Sequence, residues 1–122
     1  MYKVKIIRQF SAAHSLDNYK GKCEALHGHN WKVEVLASSL KLNSSGMVMD
    51  FSDLKKITSN VIEELDHRHL NELDYFKEHN PSSEEIAKYI FDKLKDEIAV
   101  KGCKLEEVRV WETDTSCAVY QE

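Results

Sequence analysis

The apolar residues of this chain are spaced to predict an α+β fold, a four-stranded antiparallel sheet with two helices on one face. Three observations predict it. Both ends of the sequence alternate apolar and polar residues with the period of a strand, as in Tyr2-Lys3-Val4-Lys5-Ile6. The middle carries two apolar stripes at helical spacing, one through Leu54, Ile57, Val61 and Leu65 and one through Ile86, Ile90, Leu94 and Ile98. The last two apolar runs are separated only by Thr113-Asp114-Thr115, which reads as a hairpin.

In chain order, residues 2–14 read as the first strand, with Phe10, Ala12 and His14 continuing the face of Tyr2, Val4 and Ile6. Residues 15–26, with Asp17-Asn18 and Lys20-Gly21-Lys22, read as a loop. The second strand spans about 27–38, where Trp31, Val33, Val35 and Ala37 alternate with Asn30, Lys32, Glu34 and Leu36. Asn43-Ser44-Ser45-Gly46 is a turn, and Met47-Val48-Met49 a short extended run. Asp50 is placed to cap a helix running to about Leu65. Ser82 and Glu85 form a capping-box pattern behind Pro81, and Lys101-Gly102 supplies a stop for the helix between them. Strands at 104–112 and 116–121 complete the set. The expected organisation is one domain over residues 1–122, without repeats or linkers. A sheet of this kind leaves two unpaired edges, and closure with further copies into a barrel would cover them.

Composition narrows the class. Of the 122 residues, 42% are hydrophobic and 31% charged, the balance of an ordinary globular domain. The net charge of −4 argues against a nucleic-acid partner, which selects a basic excess. No apolar run reaches the roughly 20 residues a membrane span needs. The residues after Met1 lack the apolar core of a signal peptide, which makes the cytoplasm the expected location. Three scattered cysteines, Cys23, Cys103 and Cys117, do not suggest a disulfide framework.

Chemistry concentrates in a few places. In His27-Gly28-His29 the two imidazoles fall on one face of a strand, with Gly28 allowing the backbone to bend or approach a ligand. With His14 at the end of the preceding strand they make three nitrogen ligands, the set of a catalytic zinc site with one open position. Cys23 stands four residues before His27. It reads either as a fourth ligand of a closed, non-catalytic zinc module or as a thiolate base beside the metal. Asp66-His67 reads either as a carboxylate-oriented imidazole or as a solvated helix end. Glu112 shares the face of Val108 and Val110, and points either into solvent or at a ligand that offers paired N–H donors. Glu24, next to Cys23, is either an exposed loop residue or a second base. His69 and His79 read as surface residues.

Together these residues resemble the 6-pyruvoyltetrahydropterin synthase / 6-carboxytetrahydropterin synthase family. The resemblance runs through Phe10-Ser11-Ala12-Ala13-His14, Cys23 with three residues between it and His27-Gly28-His29, Met49-Asp50-Phe51, Leu65-Asp66-His67, Asn80-Pro81-Ser82-Ser83-Glu84 and Trp111-Glu112-Thr113. It implies the tunnelling fold (T-fold), in which three such sheets join into a barrel and two trimers commonly stack into a hexamer. It implies zinc on His14, His27 and His29, Cys23 as proton acceptor with Asp66 and His67 as relay partners, and Glu112 as the pterin anchor. The implied substrate is dihydroneopterin triphosphate. The three-residue spacing between cysteine and histidine resembles the enzyme of the queuosine route, which forms 6-carboxytetrahydropterin. Glu24 resembles the base of a branch that forms 6-hydroxymethyldihydropterin for folate synthesis. Lys20, Lys22, Arg8 and Arg68 are the cationic candidates for the triphosphate.

Overall fold

A computed structural model of the protein describes residues 1–17 and 24–122. Strand β1 (Tyr2–His14) is followed by β2 (His27–Ser39), helix α1 (Phe51–Ile62), the two-residue strand β3 (Arg68–His69) and a single 3-10 turn at Leu70–Glu72. Then come the short helix α2 (Asp74–Glu78), the long helix α3 (Ser83–Val100) and the hairpin β4 (Lys104–Thr113) and β5 (Ser116–Tyr120). The sheet order is β3-β1-β2-β4-β5. Its four long strands are antiparallel, as the alternation predicts, and β3 adds a parallel rung at Ala12 and Ala13.

The helices lie on one face because each strand presents one apolar side. Ile6 and Phe10 of β1, Trp31, Val33, Val35 and Ala37 of β2, and Leu105, Val108 and Val110 of β4 are all buried there. Leu54, Val61 and Ile62 of α1 and Ile86, Ile90, Leu94 and Ile98 of α3 close the core over them. On the opposite face Glu34 is buried among cations, 3.2 Å from Arg109 and 3.7 Å from Lys5. Local signals set the helix ends. The Asp50 carboxylate accepts from the Ser52 N–H, and the Ser82 hydroxyl accepts from the Glu85 N–H at 3.2 Å. Only this half of the capping box forms, since the Glu85 carboxylate accepts from the Tyr75 phenol instead. Gly102, at φ 80, ends α3 in a left-handed turn in which the Cys103 N–H donates to the Ile98 carbonyl.

Three expectations change. Helix α1 stops at Ile62 rather than Leu65, because the following turn docks onto β1, where the His67 N–H donates to the Ser11 carbonyl. Met47–Met49 is not extended; Val48 and Met49 tuck into the core, and the Cys103 thiol donates to the Val48 carbonyl. The stretch between the two main helices, unassigned from sequence, holds β3, the 3-10 turn and α2.

Strand β4 carries two irregularities, and the second bears on the site. Glu106 is an extra residue against β2, since Leu36 pairs with Glu107 and Ala37 with Leu105. Glu112 is an extra residue against β5, since Trp111 pairs with Cys117 and Thr113 with Ser116. Such bulges re-aim the side chain they carry.

Candidate functional site

The β1–β2 register decides the geometry of the histidines. His14 pairs directly with His27, and His29 pairs with Ala12, so all three imidazoles leave one end of the same sheet face. Trp31, next along that face, packs edge-on to His14 and His29, with ring centroids 4.9 and 5.2 Å away. Phe10 stacks on the far side of Trp31. The imidazoles therefore rise from an apolar aromatic floor.

Hydrogen bonds orient the rings. His14, only 1% exposed, has its Nδ1 2.7 Å from the Pro81 carbonyl, and His27 has its Nδ1 2.9 Å from the Ala25 carbonyl. A carbonyl only accepts, so each Nδ1 carries a proton, which in the neutral imidazole leaves Nε2 as the lone-pair nitrogen. Those two Nε2 atoms are 3.1 Å apart. The His29 Nε2 is buried and makes no hydrogen bond, although Glu112 Oε1 lies 2.9 Å away in poor alignment. Burial holds the His29 pKa below its ordinary value. The Glu112 charge opposes that shift, and His14 and His27 reinforce it. The ligating atoms of His14, His27, His29 and Glu112 all lie within 4.8 Å of one another. Lone pairs facing one another at this range repel, and a divalent cation between them turns repulsion into coordination. The donor set fits such a cation, with three imidazoles and a carboxylate.

Glu112 also lines a cleft of about 350 Å³ with Ser83 and Glu84 of α3 and Ser116, Cys117 and Val119 of β5. The bulge at Glu112 thus turns one carboxylate toward both the histidine cluster and an open cavity. Sequence periodicity alone gave its face but not this contact with His29. Glu84, part of the Asn80–Glu84 motif but given no role from sequence, lines the same cleft. The signal available was its position in the first turn of α3, one residue past a capped N-terminus.

The remaining candidates separate. Glu24 is part-buried, with Oε1 3.5 Å from His27 Nδ1 and without a hydrogen-bond partner, so it is not a solvated loop residue. Asp66 docks on β1, where its Oδ1 accepts from the Ser11 N–H at 2.9 Å, and its Oδ2 lies 3.6 Å from His67 Nε2. His67 holds a left-handed backbone at φ 56 and an 82% exposed side chain. Strain of this kind concentrates at functional positions. Among the described residues no hydrogen bond or ion pair links Asp66 or His67 to the three histidines. Cys23, Lys20 and Lys22 lie outside the described residues. Arg8 stands six strand positions before His14, roughly 20 Å along β1, and Arg68 lines a separate cavity beside Tyr75 and Tyr89. Gly28 sits in regular strand, and a Cβ there would meet only the Ala12 carbonyl at 3.7 Å. The described geometry therefore does not require a glycine at that position. His79 is a surface residue, stacked on Tyr75.

Known proteins place this arrangement in a family. A Synechocystis 6-carboxy-5,6,7,8-tetrahydropterin synthase is 44% identical over 116 residues, covering 91% of this chain and 86% of that protein. The Haemophilus influenzae 6-carboxy-5,6,7,8-tetrahydropterin synthase is 36% identical over 145 aligned positions that cover both chains in full. The solved structure of Caenorhabditis elegans 6-pyruvoyl tetrahydropterin synthase superposes with a TM-score of 0.85 at 30% identity, covering 99% of this chain and 95% of that one. The family model for 6-pyruvoyl tetrahydropterin synthase matches residues 3–122. With a T-fold sheet and three histidines converging at its end, the chain belongs to the 6-pyruvoyl tetrahydropterin synthase family.

Proposed function

We propose that the protein is a zinc-dependent 6-carboxy-5,6,7,8-tetrahydropterin synthase. It would convert 7,8-dihydroneopterin triphosphate to 6-carboxytetrahydropterin, acetaldehyde and triphosphate, a step toward queuosine and other 7-deazapurines. The observation that carries this reading is the convergence of three imidazole nitrogens on the Glu112 carboxylate, a residue that also lines a cleft. The names of the relatives above support it.

His14, His27 and His29 would hold the zinc, which supplies a Lewis acid that polarises a side-chain oxygen of the substrate. Glu112 accepts hydrogen bonds from the N–H donors on the pterin edge and so fixes the ring in the cleft. Trp31 and the apolar floor exclude water from the buried side of the imidazoles. Cys23 takes the proton released from the substrate carbon, and His67, held by Asp66, handles a second transfer. The exposure of His67 fits a site completed by a neighbouring copy. The outer edge of β5, and the edge of β1 facing away from β2 before Ala12, have no strand partner among the described residues, which supports a barrel of three sheets and a trimer or hexamer. A monomeric mass in solution would overturn that assembly. Among the described residues no helix is long and apolar enough to cross a membrane; the cytoplasmic location is part of the same proposal.

A second reading rests on Glu24. Its carboxylate lies 3.5 Å from His27 and would act as a base in cleavage to 6-hydroxymethyldihydropterin, the folate-type product. One experiment decides between the two. The zinc-loaded protein is incubated with dihydroneopterin triphosphate, and the pterin products are separated. 6-Carboxytetrahydropterin is expected, and its formation should stop in Cys23→Ala; hydroxymethyldihydropterin as the main product, lost in Glu24→Ala, would replace the first reading with the second. A protein that turns over neither way and holds its zinc through Cys23 would be the non-catalytic module.

A further inference from the structure

From Ser11 to Asp17, the outer edge of β1 and of the chain that follows it is satisfied by one stretch, residues 66–80. Ser11 comes first, its N–H donating to Asp66 Oδ1 and its carbonyl accepting from the His67 N–H. Strand β3 then covers Ala12 and Ala13. At Ser15 the N–H donates to Asn71 Oδ1 at 2.9 Å and the carbonyl accepts from Asn71 Nδ2 at 2.8 Å. At Asp17 the same pair of bonds is made with Asn80, at 3.0 and 2.8 Å.

A side-chain amide carries one acceptor and two donors on one plane, so it can bind the N–H and the carbonyl of a single residue as a neighbouring strand would. Residues 11, 13, 15 and 17 lie on one edge that begins in β1 and runs past its end at His14, following the period-two alternation of strand backbone groups. Asn71 and Asn80 thus stand in for two missing ladder rungs on that edge. Both are themselves anchored. Asn71 lies on the 3-10 turn whose Leu70 is fully buried, and Asn80 precedes Pro81, whose carbonyl accepts from His14 Nδ1. His14 is therefore held in two ways, through the backbone of the residues that follow it, Ser15 and Asp17, and at its ring through Pro81, the residue after Asn80. Between the two asparagine contacts, the Leu16 carbonyl accepts from the Glu24 N–H at 2.9 Å, which ties the approach to His27 to the same frame.

We infer that Asn71 and Asn80 are positioning residues of the metal centre, setting His14 through the backbone of Ser15–Asp17. The inference rests on the metal-binding reading of the three histidines. Neither asparagine touches the histidine rings. Their loss acts through the aim of the His14 imidazole, so it weakens the hold on the metal before it alters the chemistry or the cleft.

The test measures zinc affinity of the folded protein by competition with a chromophoric chelator, for the unaltered protein and for Asn71→Ala, Asn80→Ala and the milder Asn71→Asp and Asn80→Asp. Aspartate keeps the acceptor for the N–H and loses the donor to the carbonyl. The alanine variants are expected to bind zinc about 10–100-fold more weakly, as loss of outer support for a ligand usually does, with the aspartates between. Turnover should fall at limiting zinc and return at saturating zinc, with KM for the pterin within about twofold of the unaltered protein. An alanine or aspartate variant that is folded and binds zinc as tightly as the unaltered protein overturns the inference. So does a loss of turnover that excess zinc does not relieve, the mark of a purely structural or directly catalytic role. If the unaltered protein itself binds no zinc, the metal reading falls and takes this inference with it.

Discussion

Glu112 is the residue on which most of the site turns. Its Oε1 reaches His29 and, at 3.4 Å, His14, while its side chain lines the cleft. The two roles open to it differ in what a single substitution removes. Glutamine keeps the size and one acceptor but loses the charge and offers an N–H to the ring donors of the pterin. As the pterin anchor, Glu112→Gln should raise KM at least about tenfold with zinc stoichiometry unchanged, since one unmatched buried hydrogen bond to a charged group is worth about 1.5–3 kcal/mol. Steady-state kinetics alongside metal analysis makes the check; zinc lost at unchanged KM would move Glu112 into the ligand set. His29 shows how the same carboxylate and burial oppose each other. Burial outweighs the Glu112 charge, and the imidazole stays neutral and available to a metal near pH 7.

Elements position these residues, and helix α3 does so twice. Its N-terminus brings Ser83 and Glu84 to the cleft, and the residue just before its cap, Pro81, orients His14. The Ser82 hydroxyl holds that end by accepting from Glu85. Ser82→Ala should destabilise the protein by about 1 kcal/mol, read as a lower denaturation midpoint, and a neutral result would mean that Tyr75 and Glu85 hold the helix start alone. The apolar stripe of α3 and its stop at Gly102 were legible in the sequence, since a 3.6-residue period and a left-handed glycine are local properties. The bulge at Glu112 was not. It exists only as a mismatch in register between two strands, and nothing within β4 by itself distinguishes the extra residue.

Across the whole molecule, the clearest pH dependence lies away from the site, in the aromatic cluster under α2 and α3. The Tyr89 phenol donates to Glu64 at 3.0 Å, and the Tyr75 phenol donates to Glu85 at 2.8 Å. Burial first, then the hydrogen bond to Glu64, pushes the Tyr89 pKa from 10.0 up to about 12, and Tyr75 is raised by burial and Glu85. A raised acid pKa means the folded protein keeps a proton that the unfolded chain releases. The resulting stability is complete below pH 10 and is lost as pH climbs from 10 through 12. Denaturation midpoints measured across that window should fall, and Tyr89→Phe should flatten part of the fall. An identical slope in the variant would remove Tyr89 as its source.

The sequence by itself determined the four long strands, the two main helices and the one sheet face they share, because side-chain periodicity is written into neighbouring residues. It also determined that His14, His27 and His29 belong together, since two lie at i and i+2 on one strand and the third ends the strand before it. The tertiary structure decided what depends on register and on contacts between distant segments. It set His14 opposite His27, turned Glu112 out of a bulge onto His29, brought the Pro81 carbonyl to His14, and placed Glu24 against His27. Those pairings join residues up to 98 positions apart, from His14 to Glu112. Only a folded sheet with its strands in register brings them within hydrogen-bonding distance.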